Sequence, residues 1–297
     1  MKPARLAAIL AVILLAAATL PAQQTQHVVG FMTDFDVKDD AIGICKAVME
    51  TIDPGVRIID ISHQVTPYDI AEGARFLAGS APYFPADAVF VVVIDPGVGS
   101  TRKAIIAHSR RGQYFVLPDN GLLTLFPSTG ENQILEAREI TNPAWMIGAK
   151  LSSTFHGRDI FSPAGAHLAR GDDWTQAGPS LDATKLAQLD IHNPTLDATG
   201  LHSEVLGLDG PFGNVILNIP SETFAKLGYR LGDQVTVAVD NHPYTIPFVK
   251  TFSDVPVGSP LLYIDSRGRV ALSLNQRNFA EKYNVTPGLP VSIPVKK

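Results

Sequence analysis

The sequence predicts two domains: an α/β N-terminal domain with a central, mainly parallel sheet, and a smaller all-β, barrel-like C-terminal domain. Through the first part of the 297-residue chain, short β-branched runs alternate with amphipathic stretches, which is typical of sheets whose strands are joined by helices. After about residue 190, strand-like runs follow one another with few helical patterns between them, as in antiparallel barrels and sandwiches. We place the boundary within 186–193 and predict domains at 24–188 and 189–297.

The elements of the N-terminal domain are predicted in chain order from hydrophobic periodicity. They are a strand at 27–32, a helix at 40–51, a strand at 57–61, a helix that includes 70–77 and a strand at 88–94. Ile70, Ala74 and Leu77 fall on one face of the second helix because their spacing matches the helical period. The last run is apolar throughout, which is typical of a strand covered on both faces in a parallel sheet.

The elements of the C-terminal domain are predicted to be strands. They lie at 201–208, 214–219, 234–239, 261–265, 270–274 and 290–295. Because no convincing helical pattern separates most of these runs, they favour a small antiparallel barrel or sandwich.

The composition is that of an ordinary globular protein. Hydrophobic residues make up 45% and charged residues 18% of the chain, which is enough for a sizeable core. The 24 basic and 29 acidic residues are scattered and give a net charge of −5, so no basic stripe favours nucleic acid as a partner. Cys45 is the only cysteine, which excludes an intramolecular disulfide and a cysteine metal cluster.

The first 23 residues have the pattern of a secretory signal peptide. Lys2 and Arg5 precede an unbroken apolar run at 6–18, and a small-residue exit follows at 21–22. The run is shorter than the roughly 20 residues of a comfortable membrane span, although an uncleaved anchor is the alternative interpretation. The sequence therefore predicts an exported protein, periplasmic or secreted.

Polar residues beside Gly and Pro gather where the predicted strands end. The four segments are Thr33-Asp34-Phe35-Asp36, Asp95 to Arg102, Pro118-Asp119-Asn120-Gly121 and Thr154 to Asp159. Ligand sites of α/β sheets lie at the carboxyl ends of strands, so the segments together could outline one pocket rim. Each segment alone also fits ordinary turn chemistry, because Asp-Pro-Gly and Asp-Asn-Gly are common turns.

Other familiar kinds of catalytic site are absent from the sequence or are not required by it. Carboxylates and imidazole suit several divalent ions, so a metal site is conceivable, although no spacing demands one. Its candidate ligands are Asp34, Asp39, Asp40 and His156. The segment 97–99 lacks the Lys-Ser/Thr ending of a phosphate-binding loop, and no Gly-x-Ser-x-Gly elbow is present.

In order and spacing, these segments resemble the SAM hydroxide adenosyltransferases, a family related to the bacterial fluorinase and chlorinase. The resemblance covers roughly residues 27–297. Its N-terminal motifs are Phe31-Met32-Thr33-Asp34-Phe35, Asp60-Ile61-Ser62-His63, Tyr83-Phe84-Pro85, Asp95-Pro96-Gly97-Val98-Gly99, Pro118-Asp119-Asn120-Gly121 and Phe155-His156-Gly157-Arg158-Asp159. Its C-terminal motifs are Gly210-Pro211-Phe212-Gly213-Asn214 and Ser266-Arg267-Gly268.

The resemblance implies hydrolysis of S-adenosyl-L-methionine to adenosine and L-methionine by attack of water or hydroxide at ribose C5′. The catalytic trio of the hydrolytic branch maps onto Asp95, Arg102 and His156. In the fluorinase the position matching Asp95 resembles Tyr, and an extra loop follows the segment matching Arg102; both differences favour water over halide. The resemblance also implies an enzyme without metal or organic cofactor, and a homotrimer with active sites between subunits.

Substrate contacts are implied by the same resemblance. Asp34 resembles the residue that accepts hydrogen bonds from the ribose hydroxyls, and Asn214 resembles the amide that binds adenine, with Phe212 and Phe252 expected beside the adenine ring. Four further residues resemble family positions around the methionine and ribose ends of the substrate: Asp39, Asp209, Ser266 and Arg267. The chain departs from the family at Asp36, where Gly is usual. A carboxylate there would favour the sulfonium cation or crowd the ribose if it points inward.

Three other functions stay open at this point. An exported nucleoside-binding protein would use the same pocket without turnover. A SAM-dependent halogenase would consume a halide, and a metal-dependent phosphoesterase would use the Asp and His residues named above. Export itself fits poorly with the substrate, because S-adenosyl-L-methionine is made and used in the cytoplasm.

Overall fold

The structure is a computed structural model that describes residues 27–296. The predicted signal peptide, residues 1–23, lies outside the described residues. Between residues 27 and 296, no helix is both long enough and apolar enough to cross a membrane.

The N-terminal domain contains a seven-stranded mixed sheet. Its strands are β1 (Val28–Thr33), β2 (Arg57–Ser62), β3 (Val89–Val93), β4 (Ala104–Ser109), β5 (Tyr114–Pro118), β6 (Ile134–Glu139) and β7 (Ser180–Leu181). They lie in the order β2-β1-β3-β5-β4-β6-β7. Strands β2, β1, β3 and β5 are mutually parallel, whereas β4, β6 and β7 pair in an antiparallel manner.

Helices cover both faces of this sheet. They are α1 (Ala41–Ile52), α2 (Ile70–Ser80) and α3 (Ser162–Ala169). Helices α1 and α3 bury side chains such as Met49 and Ala164 against one face, where Val91 of β3 is also buried. Helix α2 buries Leu77 against the other face, beside Val92 of β3. Because β3 is covered on both faces, its uniformly apolar sequence is explained.

The contact between α3 and the sheet is close enough to require glycine. A Cβ at Gly165 would lie 2.2 Å from Cγ2 of Val91, so Gly165→Ala should destabilise the fold by about 1–3 kcal/mol through overpacking. Gly43 in α1 is the matched control, because a Cβ there meets nothing within 4 Å. Gly43→Ala should stabilise the fold by about 0.5–1 kcal/mol. Denaturant unfolding measures both, and equal effects of the two variants would contradict the packing argument.

The C-terminal domain contains an antiparallel, nearly closed barrel. Its strands are β8 (Thr195–Leu196), β9 (Leu201–Asp209), β10 (Asn214–Pro220), β11 (Gln234–Val239), β12 (His242–Pro247), β13 (Pro260–Ile264), β14 (Arg269–Leu274) and β15 (Pro290–Ile293). The main order is β12-β11-β15-β9-β10-β14-β13, and β8 pairs with β9. A bridge between Phe248 and Leu262 brings the two end strands together. The short helices α4 (Ser221–Ala225) and α5 (Phe279–Tyr283) lie against the barrel core.

The predicted fold class is confirmed. The first sheet is mixed because β4 returns beside β5 as an antiparallel partner. The strand at 104–109, the strand at 242–247 and the helix at 162–169 were not predicted. The sheet strands end at Leu181 and the barrel strands begin at Thr195, while the boundary between 188 and 189 stays a prediction.

Candidate active site

The sheet brings Asp34 and Asp95 to the same edge. Strands β1 and β3 are parallel neighbours, and Thr33 pairs with Val93 at their carboxyl ends. Asp34 follows this pair by one residue and Asp95 by two residues. Their proximity is therefore a consequence of strand register, because parallel strands present their carboxyl ends together.

A tight turn then directs the chain from Asp95 towards Arg102. The backbone N–H of Val98 donates to the carbonyl of Asp95 at 3.1 Å. Gly99 has φ +76°, and a Cβ there would lie 2.5 Å from the carbonyl oxygen of Ser153. Glycine is needed at this position for both reasons. The close approach places the Asp95 turn against the loop that leads to His156.

Asp95, Arg102 and His156 form one connected group. Nε of Arg102 donates to Oδ1 of Asp95 at 2.9 Å, and one terminal nitrogen donates to Oδ2. The same terminal nitrogen lies 2.7 Å from Nδ1 of His156. Only 5% of the Asp95 side chain and 10% of the Arg102 side chain are exposed, so this bidentate pair is shielded from solvent.

An aromatic ring and a π-helical segment support this group. The ring of Phe161 lies under the guanidinium of Arg102, with 5.2 Å between the guanidinium carbon and the ring centroid. Phe161 is fully buried in a π-helical segment, Gly157–Phe161, that begins directly after His156. Backbone geometry at the start of α3 thus fixes both the imidazole and the surface on which the arginine rests.

The surroundings of His156 keep its imidazole neutral. Burial lowers its pKa below the usual value and the charge of Arg102 acts in the same direction, while Asp95 and Asp159 oppose them. A guanidinium can only donate, so Nδ1 of His156 accepts from Arg102. The proton of the neutral ring is therefore on Nε2, which makes Nε2 a hydrogen-bond donor.

Two members of the trio border a cavity of about 390 Å³, and Arg102 lies behind them. Asp95 and His156 line it, and so does Asp34. Oδ2 of Asp34 accepts a hydrogen bond from the backbone N–H of Tyr68 at 2.9 Å, which fixes the carboxylate. Tyr68 also lines the cavity, has φ +69° and is 74% exposed. Tyr68 was not among the predicted site residues, although it lies in a Thr-Pro-Tyr loop directly before α2.

Asp36 lines the same cavity. With Asp34 and Asp95 it gives three carboxylates against the single guanidinium of Arg102, an excess of two negative charges beside a neutral imidazole. Such a cavity favours a cationic ligand. Asp36 has φ +62°, a left-handed conformation in which glycine has no steric cost.

Replacing Asp36 separates its charge from its backbone strain. We expect Asp36→Gly to raise the free energy of unfolding by about 1 kcal/mol and to weaken binding of a cationic ligand by roughly 2- to 5-fold. Asp36→Asn should weaken binding similarly without the gain in stability, because the side chain still occupies the left-handed region. Titration calorimetry and denaturant unfolding test these effects, and tighter cation binding by either variant would contradict the assigned role of the charge.

A second, larger cavity of about 1020 Å³ lies on the C-terminal domain. Six of the predicted substrate-binding residues line it: Asp209, Phe212, Asn214, Phe252, Ser266 and Arg267. Oδ1 of Asn214 accepts from the hydroxyl of Ser273 at 2.5 Å, whereas Phe212 is 69% exposed. The aromatic faces and the fixed amide provide a surface on which a planar base can stack and form hydrogen bonds.

The two cavities have no lining residue in common. The structure therefore brings the predicted trio together with Asp34, and brings the other six together elsewhere. Asp39 lines neither cavity; its Oδ1 accepts from the backbone N–H of Ala41 at 2.8 Å at the start of α1.

The proposed metal ligands are not gathered into a metal site. Among residues 27–296, no group of three or more His, Cys, Asp or Glu side chains has an arrangement that could hold a metal ion. Asp34 and His156 face one cavity, whereas Asp39 and Asp40 lie at the start of α1.

The trio arrangement alone does not mark the site. Arg170 donates to both carboxylate oxygens of Asp172 and also lies 3.1 Å from Nδ1 of His167. This second group has the same residue types and similar contacts at the end of α3. It borders neither of the two cavities. What distinguishes the first trio is its access to a cavity beside Asp34.

Comparison with known families agrees with the motifs. Residues 29–178 match the model of the SAM hydroxide adenosyltransferase N-terminal domain. Residues 203–292 match the model of the C-terminal domain of the same family. The resemblance inferred from the sequence is confirmed, and with it the prediction of an enzyme.

The chain is also similar to named relatives. A (R)-S-adenosyl-L-methionine hydrolase of Salinispora arenicola is 39% identical, over 88% of this chain and 95% of the relative. A hydrolase of the same name from Thermus thermophilus is 34% identical, over 89% and 98%. A fluorinase of an Actinoplanes species is 31% identical, over 90% and 97%. A crystal structure of an uncharacterized conserved protein from Thermotoga maritima superposes with a TM-score of 0.84, at 36% identity over 90% of this chain and all of that chain.

These comparisons correct the prediction of export. The match with the Thermus thermophilus hydrolase covers 98% of that relative, and the small remainder is too short for a leader like residues 1–23. Relatives from bacteria and archaea are named for the same substrate, which is made inside cells. The prediction of a periplasmic or secreted enzyme is therefore wrong, and residues 1–23 lie outside the described residues.

Proposed function

The chain belongs to the SAM hydroxide adenosyltransferase family, and on that basis we propose that it hydrolyses S-adenosyl-L-methionine to adenosine and L-methionine. The observation that carries this proposal is the connected trio of Asp95, Arg102 and His156, of which Asp95 and His156 line one cavity with Asp34. Relatives named as hydrolases of this substrate support it.

The proposed reaction is a direct displacement. The oxygen of water forms a bond to ribose C5′ while the bond from C5′ to sulfur breaks and sulfur keeps the electron pair. Methionine leaves as a neutral thioether, so no acid is needed to protonate it. The water loses one proton, and the protein must align the oxygen and accept or share that proton.

The geometry supports distinct roles for the three residues. Arg102 pairs with both carboxylate oxygens of Asp95 and so fixes the orientation of this carboxylate. Each of these oxygens retains a lone pair that can accept from the attacking water. His156, with its proton on Nε2, donates a hydrogen bond to the water. We therefore assign the proton-sharing role to Asp95 and the positioning of the water to His156.

The C-terminal cavity suits the remaining parts of the substrate. It presents the carboxylate of Asp209 and the guanidinium of Arg267 together, which complement the ammonium and carboxylate of an amino acid. Asn214 and the exposed rings of Phe212 and Phe252 complement a purine. S-Adenosyl-L-methionine carries both groups.

Because the two cavities are separate in one chain, we propose that each active site forms between the N-terminal cavity of one subunit and the C-terminal cavity of another. A closed homotrimer satisfies this arrangement, since a head-to-tail contact that closes into a ring uses each cavity once. The support is the division of the predicted residues between the two cavities.

Mixing two inactive variants tests this arrangement. Asp95→Asn damages only the N-terminal cavity, and Asn214→Ala damages only the C-terminal cavity. After unfolding and refolding the two together, about a quarter of the sites in random trimers combine two intact halves, and activity should return to that extent. Each variant refolded alone is the control. No recovery in mixed oligomers would place the site within one chain.

The proposed reaction is tested by incubating residues 27–297 with S-adenosyl-L-methionine and a chelator, and by following products by chromatography. Equimolar adenosine and L-methionine are expected, with oxygen from labelled water in the adenosine 5′-hydroxyl. Adenosine that lacks the label would contradict attack of water at C5′. Substrate that survives while adenosine still binds would instead favour a nucleoside-binding protein.

Halide transfer is the second candidate, because relatives named fluorinase are 31% and 32% identical to this chain. The Asp95 carboxylate opposes it, since a carboxylate beside the nucleophile position repels a halide anion. Fluoride or chloride added to the same reaction should leave the products unchanged. Formation of 5′-halo-5′-deoxyadenosine would favour the halogenase function.

The pH dependence follows from the neutral state of His156. Since its pKa is lowered, the neutral ring should persist through neutral pH and be lost only below about pH 6.5. We expect kcat/KM to be level near pH 7 and to fall on acidification, as a protonated ring is repelled by Arg102. In His156→Gln, kcat/KM should no longer fall on acidification in this pH range. A wild-type rate that rises as the pH falls would contradict the assignment.

A further inference from the structure

Arg75 connects the two domains within one chain. It lies in α2 of the N-terminal domain, and only 4% of its side chain is exposed. One terminal nitrogen donates to Oδ1 of Asp209 at 3.0 Å, and the other donates to the carbonyl of Leu208 at 2.6 Å. Both partners lie at the end of β9, the strand that delivers Asp209 to the C-terminal cavity.

The backbone around Arg75 is shaped to admit its guanidinium. A Cβ at Gly207 would lie 2.8 Å from Nε of Arg75, so any larger residue would displace the side chain. The guanidinium also lies 4.8 Å from the ring centroid of Phe76. These contacts hold the guanidinium in one orientation, with one terminal nitrogen on the strand backbone and the other on the carboxylate.

The contact leaves half of the Asp209 carboxylate available. Arg75 engages only Oδ1, and among the residues that the structure describes Oδ2 receives no hydrogen bond. The Asp209 side chain is 36% exposed and lines the C-terminal cavity. The carboxylate is thus held on one oxygen by a buried cation, while its second oxygen stays available to a ligand in the cavity.

We propose that Arg75 is a positioning residue that orients Asp209 for binding the ammonium group of the substrate's amino-acid end. The inference rests on the proposed function for the identity of that group. Arg75 does not line the C-terminal cavity, so it acts through Asp209 and does not touch the substrate there.

A purely electrostatic effect of Arg75 and a positioning role predict opposite changes in KM when its charge is removed. A cation beside Asp209 weakens the attraction of that carboxylate for an ammonium group, so removing the cation should tighten binding if charge alone mattered. Loss of orientation should weaken binding. The direction of the change in KM therefore distinguishes the two roles.

The experiment is a double-mutant cycle on steady-state hydrolysis of S-adenosyl-L-methionine. We expect Arg75→Met to raise KM on the order of 10-fold and to change kcat by less than about 3-fold, because the ammonium contact is the same in the ground and transition states. Arg75→Met in an Asp209→Asn background should raise KM little further, since both changes remove one interaction. Arg75→Lys should recover part of the loss.

Arg138→Met is the matched control. Arg138 also donates to a backbone carbonyl, that of Gly178 at 3.0 Å, and lies 5.2 Å from the ring centroid of Trp174, but it touches no carboxylate of either cavity. Its KM should remain that of the wild type.

Gly207→Ala is a second variant for the case in which Arg75→Met fails to fold. Its methyl group displaces the guanidinium of Arg75, so it too should raise KM.

The outcomes separate this inference from the proposed reaction. An unchanged or lowered KM in Arg75→Met, or an equal further rise in the Asp209→Asn background, overturns the positioning role while hydrolysis stands. If the wild type leaves the substrate intact, the proposed reaction fails, and the same cycle is measured as dissociation constants for S-adenosyl-L-methionine by calorimetry. There, a weaker affinity that depends on Asp209 supports the inference, and any other result, including no binding, overturns it.

Discussion

Asp95→Asn is expected to lower kcat for hydrolysis of S-adenosyl-L-methionine by on the order of 10²- to 10⁴-fold, the usual contribution of a general base. The amide has nearly the same shape but carries no charge and offers one acceptor oxygen in place of two. KM should change little, because in the proposed mechanism Asp95 contacts the attacking water and the substrate-binding residues remain intact. Single-turnover kinetics measures the chemical step directly.

The second trio, Asp172, Arg170 and His167, provides a matched control within the same chain. Asp172 is paired with Arg170 through both carboxylate oxygens and contacts His167 at 2.7 Å, yet it borders neither cavity. Asp172→Asn should leave kcat unchanged within about 2-fold, with any loss confined to stability. A comparable fall in kcat for both variants would show that the loss reflects damage to an Asp-Arg pair in general, and it would contradict a chemical role for Asp95.

The fold could be predicted from the sequence where a single pattern determined each element. The apolar run at 88–94 corresponds to β3, and the helical spacing of Ile70, Ala74 and Leu77 corresponds to α2. Elements with an ambiguous hydrophobic pattern were not predicted. Six of the eight residues of helix α3 are Ser, Pro, Gly or Ala, and every residue except His167 is buried. The helix therefore has no polar face to reveal its period.

The individual residues of the candidate site were predictable from the sequence, but their distribution over two separate cavities was not. Short motifs identified Asp34, Asp95 and His156, which the carboxyl ends of the strands and the turn at Gly99 then bring to one cavity. Strand register explains this proximity. No local pattern shows that the C-terminal residues line a different cavity, because that depends on how two domains pack.

Arg75 illustrates the same limit. In sequence it is one charged residue on an amphipathic helix, and such residues are usually solvated. Only the packing of α2 against β9, made possible by Gly207, shows that it is buried on a carboxylate of the other domain. Long-range ion pairs of this kind leave no periodic signal in a single sequence, so they are found only from the folded structure.

Arg102→Ala should be nearly as damaging as the loss of Asp95, because it leaves a carboxylate that is only 5% exposed without its cation. We expect kcat to fall on the order of 100- to 1000-fold, and the free energy of unfolding to fall by about 3 kcal/mol. Arg102→Lys keeps the charge but cannot reach Asp95 and His156 with the same fork, so it should recover only part of kcat. Added guanidinium ion should rescue Arg102→Ala by refilling the vacated space. Arg170→Ala, in the second trio, should need no rescue, and failure of guanidinium to raise the rate of folded Arg102→Ala would show that position 102 does not act through its guanidinium group.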